Sequence, residues 1–361
     1  MTIMEEKERF HYQDSKKNND VNIENIKSIY EKLIDDESKK IFASRLLFSI
    51  TNDWKYIKEM LLETKVWNTI DNIIKANGEK ELFIYGAGIA GSRIPKMFPD
   101  YKWAGYIDIN KKGTRCNNLA VYGIEKIEEI SKGCLILISN VTGADEIRKT
   151  LINMQIPDKY IITCADYTKS IAKSMYFEDE CIDKKVLKGK TFIDAGAYDG
   201  LDTVRFLDWV NDNNADVILF EADKNNFEIV KNNLCNYLNI CLYNEGLSDN
   251  TNKLSFVSGK GEMSNFSREG DEIIQMNYLD NIISNQKIGY IKMDIEGYEK
   301  EALSGAKKIL SEQKPVLAIS VYHKREDIWE IPKLILECNS NYKFYLRHYS
   351  LGVVDTVLYA V

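Results

Sequence analysis

Hydrophobic positions change their period twice along the chain. Between residues 21 and 74 they recur at spacings of three and four. Ile23, Ile26, Ile29, Tyr30 and Leu33 mark one amphipathic helix, and Ile41, Leu46, Leu47 and Ile50 a second. Thr51-Asn52-Asp53 stops that helix and caps a third, with Trp54, Ile57, Leu61 and Leu62. This stretch carries no chemistry and reads as helices packing against a neighbouring domain or subunit. The largely polar residues 1–20 read as frayed.

From Glu79 the apolar runs become short and continuous. Strands are predicted at 81–85, 103–107, 134–139 and 160–162, with helical stretches between them. This alternation predicts a small parallel sheet. Charged residues dominate 168–189, which reads as a linker. A second alternating series begins at Lys190, with strands at 191–194, 217–221, 240–245, 290–294 and 316–321. Its end differs, because 343–348 and 355–361 are two strands joined by a short loop, an antiparallel hairpin. Leu254–Val257 and Met263–Phe266 predict an inserted hairpin that Gly259, Gly261 and Gly270 let bend. It either covers a substrate site or decorates the surface. The expected organisation is a helical segment over 1–76, a small α/β domain over 77–167, the linker, and a larger α/β domain over 190–361.

Composition narrows the function. With 361 residues, 44% hydrophobic and 29% charged, the chain reads as two or three globular domains. No apolar run approaches the roughly 18 residues of a membrane span. The charged start, Met-Thr-Ile-Met-Glu-Glu-Lys-Glu-Arg, has no signal-peptide core. A net charge of −7 argues against nucleic acid as a general partner. The seven cysteines include no Cys-x-x-Cys pair and are odd in number, so thiols in a reducing cytoplasm are expected, without disulfides or a thiolate zinc site. Only His11, His323 and His348 are histidines, which speaks against a multi-histidine metal centre, and no metal is expected.

Two glycine turns carry the candidate chemistry. Gly86-x-Gly88-x-x-Gly91 follows a strand and opens a helix. In a dinucleotide fold such glycines permit the tight turn, the approach of a pyrophosphate and close helix–strand packing. Asp108, closing the next strand, could accept ribose hydroxyls. The unit resembles small nucleotide-binding domains attached to sugar-modifying enzymes. It either binds a nucleotide or nucleotide-sugar, or keeps its glycines for backbone geometry.

The second turn is Asp194-Ala-Gly196-Ala-Tyr198-Asp199-Gly200. Two carboxylates here would repel a diphosphate and favour a ligand with an ammonium group and a sulfonium, S-adenosylmethionine. Glu221-Ala222 at the next strand end lies where ribose hydroxyls should reach. Ser248-Asp249 follows the third strand, where the acid could meet an adenine amine, and Asp294 and Glu296 close the fourth. Ligands of open α/β sheets bind at such carboxyl ends.

Three stretches carry a specific resemblance: 192–200 (Phe-Ile-Asp-Ala-Gly-Ala-Tyr-Asp-Gly), 220–223 (Phe-Glu-Ala-Asp) and 291–299 (Ile-Lys-Met-Asp-Ile-Glu-Gly-Tyr-Glu). With 319–324 and 346–350 they make residues 185–361 similar to the FkbM family of S-adenosylmethionine-dependent methyltransferases. The resemblance implies a seven-stranded Rossmann-like sheet with a final antiparallel strand. It also implies O-methylation, often of sugars in glycans or natural products, and so a small-molecule or glycan acceptor and a place in polysaccharide biosynthesis. The Gly86 domain resembles one often found ahead of such methyltransferases.

Methyl transfer is an in-line displacement, helped by orientation and by a general base. The candidates for the base or acceptor-orienting group are His323, Glu296 and Asp294. Asp294 and Glu296 would favour protonated His323, which opposes its use as a base unless one carboxylate is turned away. If it is the base, the rate should rise with pH through its titration. His348 is a weaker candidate, Tyr198 and Phe266 could shape the pocket, and Lys292 reads as a solvated side chain. Two other readings compete. One is a non-catalytic binder of a nucleotide-sugar and an adenosyl ligand. The other is an NAD-dependent oxidoreductase built on Gly86–Asp108.

Overall fold

The structure, a computed structural model, describes residues 22–130, 133–140, 142–178, 180–257, 265–266 and 272–361. The expectations for residues 1–20, for Gly259, Gly261 and Gly270 and for the side chain of Phe266 lie outside them. The chain divides into two compact units, Ala43–Lys173 with Tyr349–Val354, and residues up to Phe42 with Ser174–His348 and Asp355–Val361.

The first of these units holds a six-stranded sheet in the order β3-β4-β2-β1-β5-β6. Its strands are β1 (Glu81–Tyr85), β2 (Trp103–Ile107), β3 (Arg115–Cys116), β4 (Leu119–Tyr122), β5 (Cys134–Ile138) and β6 (Ile161–Thr163). All neighbours are parallel except β3 and β4. Every residue of β5 is buried, as the continuous run Cys-Leu-Ile-Leu-Ile requires of a strand covered on both faces. The hairpin β3–β4 was not expected. Its turn, Asn117-Asn118, has positive φ at both residues (49° and 62°), the backbone a two-residue hairpin needs. Its strands are too short for a periodic signal.

The second unit holds a seven-stranded sheet in the order β16-β17-β15-β14-β7-β8-β9. The strands are β7 (Thr191–Ala195), β8 (Val217–Phe220), β9 (Ile240–Tyr243), β14 (Ile288–Met293), β15 (Val316–Ser320), β16 (Phe344–His348) and β17 (Thr356–Ala360). The chain builds outward from β7 through β8 to β9, then returns to the other side of β7 with β14 and β15. The strand order therefore reverses between β7 and β14. The closing pair β16–β17 is antiparallel, as expected. Helix Leu201–Val210 packs on this sheet, with the rings of Phe206 and Phe192 stacked at 4.0 Å between centroids. Residues before Phe42 cover the sheet edge: the Ile34 amide donates to the Phe344 carbonyl (3.0 Å), and Arg347 grips Asp35 (2.7 Å). A covered edge strand cannot template further pairing.

The third strand ends sooner than expected. After Tyr243 the chain leaves the main sheet and forms a separate four-stranded sheet, β10-β13-β11-β12. Here β10 (Gly246–Leu247) runs parallel to β13 (Glu272–Asn277), which pairs antiparallel with β11 (Asn252–Val257), and β12 (Asn265–Phe266) lies outermost.

Candidate active site

The end of β7 turns sharply. Gly196, Tyr198 and Gly200 have φ of 81°, 50° and 80° before helix Leu201–Val210 begins. A Cβ on Gly196 would stand 1.9 Å from the Asp294 carbonyl oxygen. Only bare backbone passes there, which seats the turn against the end of β14, at the reversal of strand order. Gly200 is the N-cap of this helix, and Asp199 before it accepts from the Leu201 amide at 3.0 Å.

Asp194 was expected to meet a ligand, and the structure corrects this. It is 0% exposed, accepts from Thr203 Oγ1 at 2.7 Å and lies 3.1 Å from Lys292 Nζ. Lys292 is likewise not a solvated side chain: it is 3% exposed. Its ammonium also donates to the Gly196 carbonyl (2.7 Å) and lies 3.4 Å from Asp202. The register of β7 on β14 places Asp194 opposite Lys292, so the two charges meet inside the sheet. Burial pushes the Asp194 carboxyl up, against the pull of Lys292. Asp194 thus holds the glycine turn in place through Lys292.

Glu221 follows β8 and is 7% exposed. Each of its oxygens accepts one backbone amide, from Tyr198 and from Asp223, both at 2.8 Å. Burial raises its carboxyl to about 7, against the lowering effect of those two bonds. Ala222 packs against the core around Ile274 and Met276. Asp249 does not end a strand of the main sheet, because Ser248-Asp249 follows β10 of the smaller one. Ser248 is buried, while Asp249 is exposed and accepts from the Asn250 side chain at 2.7 Å.

Beyond β14 the structure gathers the three predicted residues. His323 Nε2 lies 3.4 Å from Asp294 Oδ1 and 3.8 Å from Glu296 Oε2. Glu296 adopts φ 55°, a left-handed backbone that costs a non-glycine residue free energy and concentrates at functional sites. Burial alone would lower the His323 imidazole. Glu299, Asp294 and Glu296 outweigh it and raise the group to about 10. His323 is therefore an imidazolium at neutral pH, which does not fit the expected base or a rate rising through an ordinary imidazole titration. Burial pushes the Asp294 carboxyl up, but His323, Lys292 and hydrogen bonds from Tyr176 and Ser320 hold it below its usual range. Asp294, Glu299 and His323 each place a donor atom within 4.8 Å of the others.

Two residues of this cluster were not foreseen. Tyr176, in the segment read as a linker, donates to Asp294 Oδ2 at 2.7 Å and lies 3.3 Å from Ser320 Oγ. Its backbone amide donates to the Tyr359 hydroxyl at 2.9 Å, in a buried position with φ 69°. The aromatic pair Tyr176-Phe177 inside a charged stretch was the available signal. The other is Glu299. His348, by contrast, is buried, with Nδ1 2.9 Å from Thr356 Oγ1.

In the six-stranded unit the glycine turn is filled by its own neighbours. A Cβ on Gly86 would meet Asn140 Oδ1 at 2.2 Å, and one on Gly91 the Gly86 carbonyl oxygen at 2.0 Å. Asp108, expected to face a ribose, accepts from the amides of Ala87 (2.8 Å), Asn110 (2.9 Å) and Lys111 (3.1 Å). Lys111 Nζ donates to the Ala87 carbonyl at 2.6 Å. Of the three turn glycines, only Gly88 has nothing within 4 Å of a Cβ. Gly91→Ala should accordingly lower the thermal stability of this unit, while Gly88→Ala should leave its melting unchanged; equal melting of the two variants would contradict the close packing.

The reversal of strand order, the glycine turn against the end of β14 and the acids beyond β8 and β14 define a Rossmann-like α/β methyltransferase fold. Residues 194–344 match the family model described as Methyltransferase FkbM domain, so the chain carries an FkbM methyltransferase domain. Methyltransferase FkbM from Methylobacillus flagellatus KT is similar in fold, at 18% identity and a TM-score of 0.50, over 81% of this chain and 93% of that one. A SAM-dependent methyltransferase from Aquifex aeolicus aligns at 17% identity and a TM-score of 0.27, over 54% of this chain and 97% of that one. Fibrillarin from Aeropyrum pernix, in complex with natively bound S-adenosyl-L-methionine, aligns at 9% identity and a TM-score of 0.31, over 53% and 73%. No curated protein matches the chain. Among the described residues, no helix is long and apolar enough to cross a membrane.

Proposed function

We propose that this chain transfers the methyl group of S-adenosylmethionine to a hydroxyl of a sugar, glycan or related small molecule. Glu221 is the observation that carries the donor assignment. A buried carboxylate raised to about 7, at a strand end beside a glycine turn, gains most from a ligand that brings hydroxyl donors. Glu221 would take the ribose hydroxyls, and the Gly196 turn would let the ligand approach bare backbone. The charge of Asp194 is compensated by Lys292, so Glu221 and Asp199 are the acids that disfavour a diphosphate here.

S-adenosylmethionine supplies an electrophilic methyl group on a sulfonium. The chain's own residues orient the acceptor and take its proton. Asp294, held ionised by its donors, is a weak proton acceptor and fixes negative charge at the strand end. Glu296, with a side chain 36% exposed, is the carboxylate we assign to receive the proton. Transfer of a radiolabelled methyl from S-adenosylmethionine to a panel of sugars and glycans tests the reading. Donor binding without transfer to any hydroxyl would favour a non-catalytic binder.

Donor affinity should carry the signature of Glu221. Ribose hydroxyls favour the ionised carboxylate, so affinity should rise with pH up to about 7 and then level. Glu221→Gln should remove this dependence. It should also weaken binding by roughly 1.5–3 kcal/mol, a charge-assisted hydrogen bond, or about 10–100-fold. Calorimetry giving the variant unchanged affinity and an unchanged pH profile would refute the role. The same shift acts on folding. A carboxyl raised in the folded state adds stability below about 4.5 that is lost as pH rises through about 7.

A further inference from the structure

Glu299 is 0% exposed and opens the helix Glu299–Ser304. Its Oε1 accepts from the amides of Ile295 (2.8 Å) and Gly297 (3.3 Å), which ties it to the turn that carries Asp294 and Glu296. The same oxygen lies 2.9 Å from His323 Nδ1, on the edge of the ring away from the two strand-end acids. Its Oε2 and His323 Nδ1 are both buried without a well-aligned hydrogen bond, so the contact between the two side chains is a close ion pair. A carboxylate this deep is costly unless a positive group compensates it. The only imidazole in the cluster is that group.

We propose that Glu299 is a positioning residue, a buried carboxylate that holds His323 by Nδ1 and keeps Nε2 directed at Asp294 and Glu296. This deepens the methyltransferase reading and rests on it for the meaning of the cluster. The ring becomes a fixed cation, so its own charge does not change while Glu296 takes the acceptor's proton. Two groups that flank the imidazole in sequence are Tyr322 and Lys324. Asp327, from the helix that follows, is fully buried, and burial with the nearby Glu299 charge raises its carboxyl well above the usual range. Tyr176 reaches the cluster through Asp294. Three carboxylates thus stand within 3.8 Å of one ring, and only Glu299 is buried away from solvent. Were capping the turn its whole task, glutamine would serve, because a side-chain amide oxygen also accepts from Ile295 and Gly297.

Glu299→Gln separates these roles. With three histidines in the chain, proton NMR resolves the imidazole titrations, and His323→Gln assigns the relevant signal. In the wild type His323 should stay protonated to about 10. In Glu299→Gln its midpoint should fall by about one pH unit or more. Glu299→Asp, which draws the charge back by one methylene, should lower it by less, and carries the test if the glutamine variant does not fold. The second readout is the ratio of affinities for S-adenosylmethionine and S-adenosylhomocysteine, which differ by the sulfonium charge. In the wild type that ratio should be flat between about pH 6 and 9. In Glu299→Gln it should rise in favour of the sulfonium as the ring loses its proton, at the NMR midpoint. An unchanged His323 midpoint would overturn the proposal, and so would a ratio that stays flat across a lowered midpoint. If neither ligand binds the wild type, the donor assignment fails, and a shifted midpoint still upholds the hold of Glu299 on His323.

Discussion

Lys292→Ala is expected to destabilise the unit built on the seven-stranded sheet by roughly 3–5 kcal/mol, the range for breaking one partner out of a buried charge pair. The ammonium stands 3.1 Å from Asp194 and 3.4 Å from Asp202, and donates to the Gly196 carbonyl at 2.7 Å. Truncation leaves the fully buried Asp194 with Thr203 as its donor and releases the turn that the donor site depends on. Lys292→Met combined with Asp194→Asn should recover part of the loss, because the uncompensated charge goes with the lysine. Urea unfolding followed by a probe in this unit measures both. A loss below about 1 kcal/mol for Lys292→Ala would show that the pair contributes little.

Glu296→Gln should lower turnover by roughly 10²–10⁴-fold, the usual contribution of a general base. Its affinity for the methyl donor should stay close to wild type, because the residue faces the acceptor side of the proposed transfer. The wild-type rate should show no inflection at the ordinary imidazole value of 6.5, since His323 keeps its proton to about 10. A Glu296→Gln enzyme with full turnover would move the proton acceptor elsewhere. A wild-type profile rising through 6.5 would instead return that role to His323.

The parallel strands were legible because each is a short apolar run between a glycine or polar turn and a helix. The predicted 81–85 and 103–107 coincide with β1 and β2, and 191–194 falls one residue short of β7. The acids at strand ends were legible for the same reason, since a residue just past a parallel strand must lie on the ligand side of the sheet. Their partners were not. Asp194 and Glu221 follow the same pattern in sequence, yet one is locked against Lys292 and the other retains a carboxyl raised to about 7. Asp108 likewise sits where a ribose ligand would be expected, but accepts two amides of its own turn and the Ala87 amide of the glycine turn. Asp249 follows an apolar pair that reads as the main sheet continuing, whereas β10 pairs with β13 in another sheet.

By itself the sequence determined the local elements, the two glycine turns and the chemical character of the cluster beyond β14. These depend on residues close together along the chain, whose periodicity and backbone demands act without reference to distant segments. The tertiary structure alone decided which charges meet. The register of β7 on β14 pairs Asp194 with Lys292, the fold of the 174–178 segment brings Tyr176 to Asp294, and helix Glu299–Ser304 sets a buried carboxylate behind His323. Protonation follows from those pairings, because burial raises the cost of an uncompensated charge and a close opposite charge repays it. The sequence offers His323 as a candidate base and already sets Asp294 and Glu296 against that role; the fold adds Glu299, and the ring is a cation.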